Sequence, residues 1–238
     1  MADEVNCLGS YDNFLKKFIE KGYRFIKFQE HTSTQGELIL RHDIDFDVKF
    51  AHQASLVETS LGIKSTYFFL LRSDFYNPFS KENFDLIMDI RSRGHDISIH
   101  YDPTIYEDFN EGFAEEHSFF RSVFNTDVKI ISLHRPNDFF LKLDQRIANI
   151  EHTYQTRYFK DIKYFADSTG KWRFGSPLDS EEFQKMQSIH LLIHPVWWFL
   201  EGKDNLEVLK NCYRKKTGDL KTHFNANSIP FREVSDYV

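Results

Sequence analysis

The chain has 238 residues, with 30 Lys and Arg against 36 Asp and Glu, and the cations are scattered along it. That length accommodates one large domain with a sizeable core, and the scattered charge, net −6, excludes the basic footprint of a nucleic-acid binder. Cys7 and Cys212 are the only cysteines, which excludes a disulfide framework or a cysteine zinc site.

The opening segment, MADEVNCLGSYDNF, is acidic and has no hydrophobic run, which predicts no signal peptide. No later stretch approaches the roughly 18 apolar residues of a membrane span, so a soluble, cytoplasmic protein is expected. A first helix over residues 11–21 places Phe14 and Phe18 on one face. ELILRHDID (residues 37–45) is a short apolar run ending in charge, as a buried strand does where it leaves the core. Phe50, Ala54, Val57 and Leu61 recur at helical spacing before Gly62. STYFFLL (65–71) is β-branched and aromatic, a second strand. Ser80 caps a helix that Gly94 ends. DISIH (96–100) is a third strand, residues 106–124 a helix, KIISLH (129–134) a fourth strand and IKYFAD (162–167) a fifth. Ser180 opens a short helix, IHLLIH (189–194) is the last strand, and a polar helix covers 205–215.

Strand and helix alternate, and the strands are continuously apolar. This predicts a parallel sheet covered by helices, doubly wound or closed into a barrel. No linker or repeat divides the chain, so residues 1–238 read as one domain. The 25 Phe, 11 Tyr and 3 Trp supply material for a core and for a ring-lined cleft.

Four strands end in titratable groups: Asp43 with Asp45, then His100, His134 and His194. A parallel sheet brings all strand C-termini to one edge, where active sites form. Asp43 and Asp45 share a strand face by the period of two, and one carboxylate on a cation beside one free base suits metal-assisted hydrolysis. His100 with an Asp and a second His makes a site for zinc or another divalent metal. His95, five residues before His100, falls on the opposite face and end. Arg135 is placed to orient a carboxylate through a bidentate pair. His194 is placed to protonate a leaving amine, with Trp197 and Trp198 as a wall for substrate.

From about Leu38 to Trp198 these motifs, in this order, resemble the polysaccharide deacetylases, a carbohydrate esterase family. RHDID is similar to the family's first motif, which implies Asp43 as catalytic base and Asp45 as metal ligand. GHDISIH is similar to the second and implies His100 as a ligand. SLHRP is similar to the third, implying that Arg135 orients the base. DSTGKWR is similar to the fourth, placing Asp167 and Trp172 at the acyl pocket, and LLIHP to the last, implying His194 as general acid. The RHDxDFD and LLxHPxWW patterns resemble those of surface-glycan and O-antigen biosynthesis deacetylases. The resemblance implies a distorted, TIM-like (β/α) barrel with fewer than eight strands. It also implies a divalent ion, Zn²⁺ foremost with Ni²⁺, Co²⁺ or Fe²⁺ as alternatives, and an N-acetylated sugar or glycan as substrate. One position departs from the family: Thr104 stands where a second ligand His is usual. Asp102 and His134 are the candidate replacements, His134 favoured and Asp102 left facing substrate. Competing readings are a carbon–nitrogen hydrolase of a small amide, for which a closed pocket is expected, and a carbohydrate-binding protein without catalysis.

Overall fold

A computed structural model describes residues 6–234. The first five residues of the opening segment and the last four of the C-terminal tail lie outside the described residues. The strands are β1 (Arg24–Ile26), β2 (Glu37–Ile44), β3 (Thr66–Phe69), β4 (Asp96–Tyr101), β5 (Ile130–Leu133), β6 (Glu151–His152), β7 (Lys163–Ala166) and β8 (Ile189–Ile193). The longer helices are α1 (Tyr11–Lys21), α2 (Val48–Ser60), α3 (Lys81–Ser92) and α4 (Phe109–Phe124). Four short ones follow, α5 (Asp138–Lys142), α6 (Thr156–Phe159), α7 (Glu181–Gln184) and α8 (Val196–Phe199). The chain ends in α9 (Asn205–Asn227) and α10 (Ile229–Val234), so the polar helix runs well beyond residue 215.

All paired strands are parallel, in the order β6-β5-β4-β3-β2-β8-β7, with β1 joined to the start of β2 off this path. From β2 to β6 the strands follow chain order, and β7 and β8 return to the other side of β2. That cyclic order belongs to a (β/α) barrel and not to a doubly wound sheet, whose order reverses at a switch point. The fold is a distorted barrel with seven strands on the continuous path, in line with the expectation. Among the described residues no ladder joins β6 to β7. Aromatic rings fill this seam: Tyr154 lies 5.1 Å from Phe159, which lies 5.0 Å from Tyr164.

Alternation along the strands separates two environments. Leu38, Leu40, Ile44, Tyr67, Phe69, Ile97, Ile99, Ile131, Leu191 and Ile193 face the helices and build the main core. Helix α4 contributes Phe113, Phe120 and Phe124, all fully buried, each stabilising by about 1.5–3 kcal/mol. Inside the barrel, Ile26, Phe28, Ile39, Phe68, Ile130, Tyr158 and Ile162 form an apolar plug. Above that plug the interior positions turn polar, and there the site sits. Asp47, the third carboxylate of RHDIDFD, accepts from the Lys49 amide at 3.0 Å and caps α2. His95 lies away from the site, its Nδ1 3.1 Å from Ser65 Oγ, as its odd spacing from His100 requires. No helix among the described residues is long and apolar enough to cross a membrane.

Candidate active site

The C-terminal ends of β2, β4, β5 and β8 bring Asp43, Asp45, His100, His134 and His194 together. Asp45, just past β2, places Oδ1 3.3 Å from His100 Nε2 and 3.5 Å from His134 Nδ1. The two ring nitrogens are themselves 3.0 Å apart. Ligands bonded at about 2.0–2.2 Å around a tetrahedral ion are separated by about 3.4 Å, so these spacings fit the edges of such a site. Asp45 Oδ1 is also buried with no well-formed hydrogen bond, a state costing about 1–3 kcal/mol that a cation among the three donors relieves. Burial opposes the Asp45 charge, but the His100 and His134 nitrogens outweigh it and hold the carboxyl well below the usual carboxylate range. The donor set therefore fits a divalent ion of the zinc type.

Thr104 takes no part. Its hydroxyl and amide both donate to Asp102 Oδ1, at 2.5 and 2.9 Å, so the residue in place of the usual His instead pins Asp102. Asp102 lines the cavity above the site but stands apart from the three converging donors.

Asp43 is buried beside this cluster, its Oδ2 3.9 Å from His100 Nε2. The bidentate partner expected from Arg135 is instead Arg41, whose Nε and one terminal nitrogen donate at 3.2 and 2.9 Å. Arg41 lies two residues before Asp43 on the same strand face, and the period of two makes them neighbours. Arg135 lies in the turn after β5, exposed, and makes no hydrogen bond or ion pair among the described residues. Ser132 Oγ adds a third donor to Asp43 Oδ2 at 2.8 Å. Burial alone would push the Asp43 carboxyl up, yet the charges of Arg41, His100 and His194 hold it down to about 2.

His194 points Nε2 toward Asp45 Oδ2 at 3.8 Å and gives Nδ1 to Asp167 at 2.7 Å. Asp167 also accepts from the His194 amide and, at 2.8 Å, from Trp198 Nε1. Burial disfavours the His194 cation, but the bond and charge of Asp167, followed by Asp45 and Asp43, raise its pKa to about 9. Two expected substrate contacts are thereby corrected. Asp167 is fully buried and orients His194, and Trp198, also buried, orients Asp167. A third correction concerns Trp172, which stacks on Phe14 at 5.4 Å in the core rather than lining the cleft. Trp197 does line it. Asp167→Asn removes the charge behind His194 while leaving the metal donors untouched. It is expected to lower turnover about 100-fold with metal content unchanged, checked by steady-state kinetics beside elemental analysis.

The cavity over these groups encloses about 790 Å³ and is lined by Phe46, Phe75, Ile105, Phe174 and Trp197 besides the polar residues. Phe75, Ile105 and Phe174 are about half exposed, so the mouth is an aromatic groove open to solvent.

No protein-family model and no curated protein matches the chain. Several solved structures are similar to it. The chain is 16% identical to IcaB from Ammonifex degensii over 51% of its own length and 64% of that chain, with a TM-score of 0.41; it thus spans less than two thirds of that protein. Against a family 4 carbohydrate esterase from Bacillus anthracis the identity is 15%, with 87% and 86% of the two chains covered and a TM-score of 0.46. Against the Bc1960 peptidoglycan N-acetylglucosamine deacetylase it is 15%, covering 87% and 90%, with a TM-score of 0.49. The solved structures similar to this chain thus include a family 4 carbohydrate esterase and a peptidoglycan N-acetylglucosamine deacetylase.

Proposed function

We propose that this chain, as one polysaccharide-deacetylase-like domain, is a metal-dependent hydrolase that removes an N-acetyl or related acyl group from a sugar or glycan precursor. One observation carries the reading. Three metal-type donors, a buried carboxylate and a histidine backed by an aspartate converge at the strand C-termini, beneath an open aromatic groove. Asp45, His100 and His134 would hold the ion, Zn²⁺ foremost, which when bound supplies Lewis acidity to an acyl carbonyl and to a water.

The chain's own residues do the rest. Asp43, beside His100, accepts a proton from the attacking water, while Arg41 and Ser132 fix the plane of its carboxylate. His194, kept protonated and oriented by Asp167, donates from Nε2 to the departing amine. Trp197 and the half-exposed rings of Phe75 and Phe174 offer apolar faces to sugar C–H groups. The open mouth supports a sugar over a small amide. A pairing of base and acid around a donor triad is more than a pure binding protein needs. Work on a cytoplasmic surface-glycan precursor completes the proposal.

The test is metal content by elemental analysis of wild type beside Asp45→Ala and His100→Ala, followed by acetate release from N-acetylated sugars. Near one equivalent of zinc, nickel, cobalt or iron in the wild type, reduced at least ten-fold in both variants, is expected. A wild-type protein that takes up no metal after reconstitution overturns the reading.

A further inference from the structure

The cavity's acidic groups are almost all committed within the protein. Asp43 belongs to Arg41 and Ser132, Asp45 to the two histidines, and Asp102 to Thr104. Among the described residues, Asp74 alone of the cavity's carboxylates has no such partner. Of the three arginines there, Arg72 reaches Glu116 at 3.7 Å and lies over Tyr106. Arg135 and Arg173 are exposed, line the same cavity and make no ion pair among the described residues. The guanidinium of Arg173 lies over the Phe174 ring, 5.5 Å from its centroid, which limits its freedom. Arg135 sits at a φ of 47° between His134 and Pro136. A non-glycine residue in this left-handed region costs about 1 kcal/mol or more, and here that strained turn presents a cation to the cavity.

We propose that the acylated sugar carries a phosphate or diphosphate, bound at the cavity mouth by Arg135 and Arg173. Planar guanidinium groups match phosphate oxygens in paired hydrogen bonds. A neutral glycan would leave the two guanidinium groups without an anionic partner. The cavity, at about 790 Å³, exceeds the needs of one hexosamine, and Phe75, Ile105 and Phe174 beside the arginines provide an apolar rim for whatever the phosphate joins. The inference deepens the deacylase reading and rests on it for the sugar.

The experiment uses metal-loaded full-length protein and two readouts. The first is acetate release from UDP-N-acetylglucosamine, from a prenyl diphosphate-linked N-acetylglucosamine and from neutral diacetylchitobiose. The second, independent of turnover, is calorimetric binding of pyrophosphate to wild type, Arg135→Gln and Arg173→Gln. The expected result is kcat/KM at least ten-fold higher for a diphosphate substrate than for diacetylchitobiose. Each variant should raise KM for that substrate, and Kd for pyrophosphate, about ten-fold. Whichever diphosphate substrate has the lower KM identifies the carrier as nucleotide or lipid. Preference for the neutral sugar, or pyrophosphate binding unchanged in both variants, overturns the proposal. If no substrate releases acetate, the deacylase reading fails, and the pyrophosphate titration still decides the anion site.

Discussion

Asp43→Asn is expected to reduce turnover of an N-acetylated sugar by about 10²–10⁴-fold while leaving metal content at the wild-type level. The size is that of a lost general base. The separation of effects follows from geometry. The three converging donors are Asp45, His100 and His134, and Asp43 stands outside them, 3.9 Å from His100. An asparagine at position 43 fills the same volume and keeps one oxygen for the Arg41 guanidinium, but it leaves that buried cation without its counter-charge, so Tm falls while the fold is kept, as near-ultraviolet circular dichroism would register. What disappears is the capacity to take a proton. Loss of metal in Asp43→Asn would assign both carboxylates to the ion and refute the division of labour between them. Turnover at the wild-type rate would move the base elsewhere.

The sequence revealed the long elements and the strand ends, because both rest on local patterns. Apolar runs announced β2, β3, β5, β7 and β8, alternation announced β4, and the residues that end four of these strands are the ones that converge. Strands β1 and β6 have three and two residues, too few for any period to show, so they passed unseen. The pairing of β8 with β2, across about 150 positions, was equally invisible. The β4–β5 ladder pairs Ser132 with His100 and Leu133 with Tyr101, which brings His134, the residue after β5, beside His100. Arg41 was legible in principle: the alternation that joined Asp43 to Asp45 also joins Arg41 to Asp43. Asp167 and Trp198 were misread because what they touch is set by neighbouring strands. Ala166 pairs with Leu192, and that register, not any motif, places Asp167 under His194.

The second large effect concerns stability. Arg41 and Asp43 are both buried, 0% and 3% exposed, and paired through two hydrogen bonds. Arg41 also lies over the rings of Tyr154 and Tyr164, at 5.1 and 5.9 Å, where those rings fill the open seam of the barrel. Arg41→Met keeps much of the volume but leaves the Asp43 carboxylate buried without its cation. Removing one partner of a buried pair costs about 3–5 kcal/mol, which in a protein of this size lowers Tm by roughly 10 °C. Replacing both residues, in Arg41→Met with Asp43→Leu, removes the stranded charge and should recover part of that loss, giving a coupling of about 2 kcal/mol or more in a double-mutant cycle. Arg135→Met provides the contrast. Its side chain is exposed and makes no ion pair among the described residues, so its effect should stay within about 0.5 kcal/mol. Arg41 thus takes the carboxylate-orienting place that the sequence suggested for Arg135. Thermal denaturation of wild type, these three variants and Asp43→Leu alone, which completes the cycle, checks this directly. A large Tm loss in Arg135→Met with little in Arg41→Met would return the carboxylate to the residue after His134 and break the barrel-interior account of how the base is held.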